Sequence, residues 1–183
     1  MRYSRRRVAQ PGVRRLHLQR RAAGATRCLD RAGPIDESLP ANEDWDMWLR
    51  VARRCQFAFV DRVLVHVREH AGNTTGPGSP LFAAALATRA VPLDKLFASP
   101  ELPAEVRALR HLAYENVHLF RSQRWLTAGR WRLAAAELAR AVRISDAPAR
   151  ATLRGAWFWF NASRLGQSAA GRRVAARLRA LRR

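Results

Sequence analysis

The spacing of apolar residues changes along the chain, and each change predicts a different kind of element. After Asn42, a plausible N-cap, apolar side chains recur at the spacing of one helical face, and this helix is expected to end near Arg53-Arg54. Two short runs rich in β-forming residues follow, at 57–60 and 63–67, and they predict a pair of strands. A loop rich in glycine and proline, residues 72–80, then predicts a boundary before a helical remainder.

The helical remainder is predicted as a broken helix followed by a hairpin. Residues 81–98 form a helix broken at Pro92, and a long helix opens at Pro103 and runs to about Thr127. Gly129 ends that helix, and the return arm 131–144 is stopped by Asp146-Ala147-Pro148. The residues expected to face each other are Leu109, Leu112, Asn116, Val117 and Phe120 on one arm and Leu133, Leu138, Ala141 and Val142 on the other.

Both ends of the chain are rich in arginine. Residues 1–28 lack a regular apolar stripe, and we expect them to be disordered or to come from a misassigned start, although an arm for phosphates or lipid headgroups is the alternative. Residues 171–183 are predicted to form a basic helix with an apolar face, which either packs on the hairpin or lies on a membrane surface.

The net charge of +20 says less about function than its distribution does. Eight of the fourteen acids lie between Asp30 and Glu69, with none before Asp30 and none after Asp146. Lys95 is the only lysine against 33 arginines, a bias that GC-rich coding produces without selection for phosphate binding. No zinc-finger or RNA-binding signature accompanies the charge, so nucleic acid is not the expected partner.

The cysteine count and the apolar runs indicate a cytoplasmic protein. Cys28 and Cys55 are the only cysteines, too few for a disulfide framework of the secreted type, and a reducing compartment fits them best. We find no apolar run near the roughly 20 residues needed to span a bilayer. We therefore expect a cytoplasmic location, with peripheral contact at the inner membrane face as an option.

Three motifs in order resemble the acceptor side of the family-two glycosyltransferases, which have the GT-A fold. The first is the turn 33–40, Gly-Pro-Ile-Asp-Glu-Ser-Leu-Pro. The second is 43–50, Glu-Asp-Trp-Asp-Met-Trp-Leu-Arg, close to the family's Glu-Asp-x-Asp-x-Trp-x-Arg. The third is 67–75, Val-Arg-Glu-His-Ala-Gly-Asn-Thr-Thr, similar to the series that follows the family's paired strands. The resemblance implies inverting transfer of a sugar from a nucleotide-sugar donor to an acceptor hydroxyl of a glycan or a lipid-linked acceptor.

The resemblance also implies roles for individual residues. Asp44 takes the position of the base that deprotonates the acceptor hydroxyl, and Glu43 lies beside it as a helper or alternate. Taken alone, both would be ordinary acids in the first turn of a helix. Asp46 is expected to be structural, because residues two apart on a helix point to different sides.

Four further residues are candidates for contact with substrates. Trp45 and Trp48 have the spacing of core residues, although one indole could form a floor under a sugar ring. By the resemblance, Arg68 and His70 approach the diphosphate or its metal ion, with His70 as a candidate metal ligand. For His70 alone, a solvated side chain would be the ordinary interpretation.

The resemblance covers the acceptor side alone. The family binds a divalent metal, magnesium or manganese, at an Asp-x-Asp motif that belongs to a nucleotide-binding half, and this sequence does not contain that half. We therefore expect an α+β, mainly helical fold: an incomplete GT-A (α/β) remnant with a short strand pair in 29–80, and an α-helical hairpin tail in 81–183. Such a chain is expected to be inactive alone. The rival hypothesis is a basic helical module that binds an anionic membrane surface or nucleic acid.

Overall fold

The computed structural model describes residues 22–57, 76–163 and 168, and within them the chain forms helices joined by short turns. The first pair is α1 (Ala22–Ala32) and α2 (Glu43–Ala52). The second group begins after the undescribed stretch 58–75. Its members are α3 (Leu81–Ala87), a 3₁₀ turn (Thr88–Ala90), α4 (Val91–Ala98), α5 (Ala104–Ala108), α6 (Arg110–Thr127), α7 (Trp131–Ile144) and α8 (Pro148–Ala162).

The predicted α+β class with a GT-A (α/β) remnant is wrong for the described residues, which are helical and contain no strand. The strand pair predicted at 57–60 and 63–67 lies outside them, except for Phe57, which is not in a strand. A two-stranded ribbon needs a sheet or a helix to cover it before it is stable. The described residues supply no third strand, so the fold they form rests on helix packing alone.

α2 starts at the predicted residue and Asn42 is its N-cap, as predicted, but the cap is made by the Asn42 carbonyl and not by its side chain. Asn42 precedes the helix with φ 67°, in the left-handed region, and its side chain makes no capping hydrogen bond. Its amide group points across to the second helical group instead. Its Nδ2 donates to the Ala85 carbonyl and to Thr88 Oγ1, both at 2.9 Å. The residue that precedes the acidic motif is therefore positioned by a contact more than 40 residues downstream.

The break predicted at Pro92 occurs slightly earlier, in the 3₁₀ turn that separates α3 from α4. Pro92 itself lies in the first turn of α4. A proline ring clashes with the carbonyl four residues before it, here that of Thr88, so the helix is interrupted upstream of the proline. The predicted long helix from Pro103 to Thr127 is likewise two helices, α5 and α6, which are separated at Leu109.

A small hydrophobic core joins α2, α4 and α6. Its buried members are Leu93 and Phe97 of α4, Leu102, and Val117 of α6. Partly buried side chains of α2, Trp45 and Leu49, pack against this cluster. The core therefore fixes the acidic helix against the segment that follows the undescribed stretch.

The second half is an antiparallel hairpin of α6 and α7 with α8 packed on both. Its turn is at Gly129, whose φ of 73° suits glycine. The predicted faces are only partly right: Val117 and Ala141 are buried, whereas Leu109, Asn116 and Leu133 are exposed. Polar groups take up the space between the helices. They are Ser122, whose Oγ donates to the Ala134 carbonyl, His118 against Glu137, and Glu115 against Ser145 and Arg154.

A disulfide between Cys28 and Cys55 joins α1 to the turn after α2. The sequence did not predict this bond, because two cysteines alone give no pairing signal. The predicted boundary between residues 28 and 29 falls inside α1, which begins at Ala22. The basic helix predicted at 171–183 lies outside the residues that the structure describes. Among the described helices, none is both long and apolar enough to cross a membrane.

Candidate functional site

The acidic motif is held in place by its own arginine. Arg50 Nη2 donates to the Pro34 carbonyl at 2.8 Å, and Nη1 donates to the carbonyl of Ala32. The Arg50 Nε bonds Asp46 Oδ2 at 2.9 Å, one turn back along α2. The last residue of the motif thus fixes the turn 33–40 against the helix, which explains why aspartate and arginine occur at that spacing.

One face of α2 carries a closed set of ion pairs. Asp46 is only 3% exposed, and its carboxylate lies 2.9 Å from Arg50 and 3.4 Å from Lys95. Lys95 also bonds Asp36, which accepts a further hydrogen bond from the Ser38 backbone at 3.0 Å. The bond from Lys95, followed by those from Ser38, lowers the pKa of Asp36 to about 2. Asp36, Asp46, Arg50 and Lys95 line a cleft of about 370 Å³, and these two carboxylates and two cations are paired with one another.

The other face of α2 is open. Glu43 and Asp44 line a second cleft, of about 440 Å³, between the start of α2 and helices α3 and α6. Asp44 is exposed, and its Oδ1 accepts a hydrogen bond from the Trp45 backbone N–H at 2.7 Å. Among the residues that the structure describes, no cation lies at ion-pair distance from either carboxylate. This is notable in a chain with 34 lysines and arginines.

Two arginines line the same cleft. The Arg89 guanidinium lies 4.1 Å from the centroid of the Trp45 ring and 4.5 Å from that of Phe120. Its Nη1 donates to Asn42 Oδ1 at 2.9 Å. The second, Arg124 on α6, lies 5.3 Å from the Phe82 ring. Stacking on aromatic faces suits the planar, weakly hydrated guanidinium and restricts its motion.

The predicted site residues fall into three groups. Glu43 and Asp44 share the open cleft. The indoles are not among its lining residues: Trp45 packs on the core under Arg89, and Trp48 meets Phe57 edge-on at 6.4 Å. Trp45 therefore packs on the core, whereas Trp48 is not among the residues of that core cluster and meets the exposed Phe57. Arg68 and His70 lie outside the described residues.

Sequence reasoning did not find Asn42, Arg89 or Arg124 as cleft residues. An arginine among 33 carries no signal of its own, and the contacts of Asn42 depend on a segment more than 40 residues away. Asp46 is structural, as predicted, because its carboxylate is buried and paired on the face away from Asp44.

The described residues contain no cluster of side chains that could hold a metal ion through protein ligands alone. Three or more acidic, histidine or cysteine side chains do not converge anywhere in that part of the chain. Glu43 and Asp44 alone supply two carboxylates at the open cleft, whereas a magnesium or manganese site usually adds water and substrate phosphates to such ligands. The predicted ligand His70 is outside the described residues.

Comparison of this chain with models of protein families, with curated proteins and with solved structures found no match.

Proposed function

We propose that this chain is the acceptor-side part of an inverting glycosyltransferase and that Asp44 is its base. In the reaction the acceptor hydroxyl oxygen forms a bond to the anomeric carbon of a nucleotide sugar. The bond from that carbon to the diphosphate oxygen breaks, and the nucleotide diphosphate leaves with the electron pair. The Asp44 carboxylate takes the hydroxyl proton, and Glu43 beside it assists or substitutes.

The observation that supports this proposal is that two carboxylates on one helix differ in burial and in ion pairing. Asp46 is buried and neutralised by Arg50 and Lys95, whereas Asp44 opens onto a cleft with no described cation at ion-pair distance. A base must present a lone pair to its substrate, and a buried carboxylate that is paired with two cations has its oxygens already engaged. On this helix Asp44 meets that requirement and Asp46 does not.

The position of Asp44 also suits the task. It lies in the first turn of α2, and one oxygen is held by the Trp45 N–H. That bond engages Oδ1, and the proposal assigns the second oxygen, Oδ2, as the acceptor of a substrate proton. A volume of about 440 Å³ falls within the roughly 300–1,000 Å³ of typical ligand pockets and is large enough for one sugar unit.

The donor side of the reaction is not part of the described residues. We propose no step through a metal ion, because the donor groups present do not form its site. A nucleotide-sugar donor, a glycan or lipid-linked acceptor and a cytoplasmic location at the inner membrane face remain parts of the proposal. The Cys28–Cys55 disulfide counts against the cytoplasmic location, since reducing compartments keep such cysteine pairs as free thiols.

A sugar-transfer assay tests the proposal. The chain, joined to the sequence encoded upstream of Met1, is incubated with labelled nucleotide sugars and hydroxyl acceptors, and transfer is measured. We expect Asp44→Asn to lower the rate by about 10²–10⁴-fold, because the side chain keeps its shape but loses its basicity. Glu101→Gln, which removes an exposed carboxylate outside the cleft, is the matched control.

Two results would contradict the proposal. One is transfer by Asp44→Asn at the wild-type rate. The other is absence of transfer together with salt-sensitive binding of the chain to anionic vesicles or nucleic acid that Asp44→Asn does not change, which would favour the basic binding module.

A further inference from the structure

The open cleft contains charge of both signs. Glu43 and Asp44 contribute carboxylates from the start of α2, and Arg89 and Arg124 contribute guanidinium groups from the 3₁₀ turn and from α6. The proposed transfer reaction uses the carboxylates and leaves the two arginines without a role.

Arg89 is fixed in orientation before any ligand arrives. Its guanidinium lies between the Trp45 and Phe120 rings, and Asn42 holds its Nη1. Asn42 is itself fixed by its bonds to the Ala85 carbonyl and Thr88 Oγ1. An arginine held in this way loses little side-chain entropy on binding a ligand, and its fixed positive charge attracts a carboxylate or a phosphate that enters the cleft.

Arg124 supplies the second cation of the cleft. Its guanidinium lies against the Phe82 ring, which packs edge-on against Trp125 at 5.5 Å. The two arginines come from different elements and share a cleft of about 440 Å³, so one small anion can interact with both. Charge-assisted bonds from arginine are roughly twice as strong as those between neutral groups.

We infer that the acceptor is an anionic sugar, whose carboxylate or phosphate binds Arg89 and Arg124 while its reacting hydroxyl lies at Asp44. This assignment rests on the proposed function and adds the chemical class of the acceptor to it. The charge pattern of the cleft fixes the direction of binding. The anion is attracted to the arginines and repelled by Glu43 and Asp44, so the other end of the sugar is placed at the base.

A matched pair of ligands tests the inference. Methyl glucuronoside and methyl glucoside differ only at C6, where the first carries a carboxylate and the second a hydroxymethyl group. Their dissociation constants for the 183-residue chain are measured by NMR titration at about 0.15 M salt, which screens long-range attraction by the net charge. We expect the glucuronoside to bind at least about tenfold more tightly.

Variants assign that preference to the cleft. Arg124→Gln and Arg89→Gln are each expected to lower the preference to less than about threefold. Arg143→Gln removes the same charge from an exposed position on α7 and is expected to leave it unchanged, which separates the cleft from the overall charge of the chain. Arg124→Gln is the primary variant, since Arg89 also packs between two rings; circular dichroism checks that both remain folded.

Three results would overturn the inference. The first is equal affinity for the two glycosides, and the second is an equal loss of preference in Arg143→Gln. The third uses inorganic pyrophosphate as a probe for the donor's diphosphate. If the arginine variants weaken binding of pyrophosphate but not of the glucuronoside, the cations serve the leaving group and not the acceptor.

The outcome is distinguishable from that of the proposed function. An anion preference that depends on Arg124, without sugar transfer by any protein that contains the chain, refutes the transferase and leaves the anion site in place. Transfer that depends on Asp44 but proceeds equally well to neutral acceptors, and is unaffected by Arg124→Gln, refutes the anion site and leaves the transferase in place.

Discussion

The two faces of α2 differ in how their acids are compensated. On one face Asp46 is surrounded by Arg50, Lys95 and the turn that Arg50 holds; on the other, Glu43 and Asp44 open onto a cleft. The acids lie within four residues of one another, so local sequence alone does not separate them. The difference comes from what the downstream segment brings to each face: Lys95 from α4 on one side, and Arg89 and the α3 surface on the other.

The largest expected effect is on stability when the buried face is broken. Asp46→Ala removes the buried carboxylate that Arg50 and Lys95 share. Removal of one partner from a buried charge pair typically costs about 3–5 kcal/mol, and we expect the lower end of that range because both cations are partly exposed and Lys95 keeps its bond to Asp36. Asp44→Ala, two residues away, removes the bond from the Trp45 N–H and a favourable interaction with the helix amino terminus, and it is expected to cost less than about 1 kcal/mol. The free energy of unfolding of both variants is measured by urea denaturation.

An equal loss of unfolding free energy in the two variants would show that the acids on the two faces of α2 are equally important for stability. Such a result would mean that Asp44 has a structural partner in solution. The assignment of Asp44 as the base would then lose its support.

The second effect concerns the disulfide that joins α1 to the turn after α2. The Cys28–Cys55 disulfide closes a loop with a sequence separation of 27 residues, and loss of that link costs roughly 3 kcal/mol through the entropy of the unfolded chain. Cys28→Ser and Cys55→Ser are each expected to unfold at lower urea, and the wild type under reductant should match them. A thiol titration on protein from its native cells also tests the cytoplasmic location, since a cytoplasmic chain should show two free thiols.

The third effect is at the amino end of the open face. Asn42→Ala removes the bonds to Ala85, Thr88 and Arg89 and places a Cβ-bearing residue without a helpful side chain at φ 67°; we expect a loss of about 2 kcal/mol. Asn42→Gly removes the same bonds but relieves the backbone, and it should cost about 1 kcal/mol less. Thermal unfolding of the two variants measures the difference. An Asn42→Gly variant no better than Asn42→Ala would show that the left-handed backbone is not what selects the residue.

The smallest effect is a dependence on pH. The pKa of Asp36 is lowered from 3.8 to about 2, so its bond to Lys95 stabilises the folded chain above about pH 4, and this contribution is lost as the pH falls toward 2. The variant Asp36→Asn, which cannot ionise at this position, should flatten the stability curve between pH 4 and 2, as acid denaturation followed by tryptophan fluorescence would show. The curve between pH 5 and 8 should keep its shape, and an altered slope there would assign the effect to another group.

Much of the helical part of the fold was predictable because its signals are local. The bounds of α7 and the start of α2 follow from the pattern, and Gly129 marks the turn between α6 and α7. The contacts between helices were less predictable. Phe120 was expected at the α6–α7 contact, but it lines the open cleft and packs on Arg89, whereas its neighbour Leu119 is fully buried.

The candidate site was predictable as a motif but not as a cleft. The pattern 43–50 identified Asp44 and separated it from Asp46 by helix geometry alone. Asn42 was predicted only as a helix cap. Its side chain bonds Ala85 and Thr88, residues that come close to it through tertiary packing. Arg89 and Arg124 were not predicted, because their proximity to the acids depends on tertiary packing.

The contacts that Asn42, Asp46 and Arg53 make with Ala85, Lys95 and Ser99 have a consequence for where this chain can be divided. A cut at residue 80, the boundary suggested by the glycine- and proline-rich loop, would strip α2 of every one of these partners. The acidic helix therefore cannot be separated from α4 and the other described segments that pack on it, which include Leu102 and Val117 of the shared core. Grafting the motif onto another protein would require transfer of these segments together.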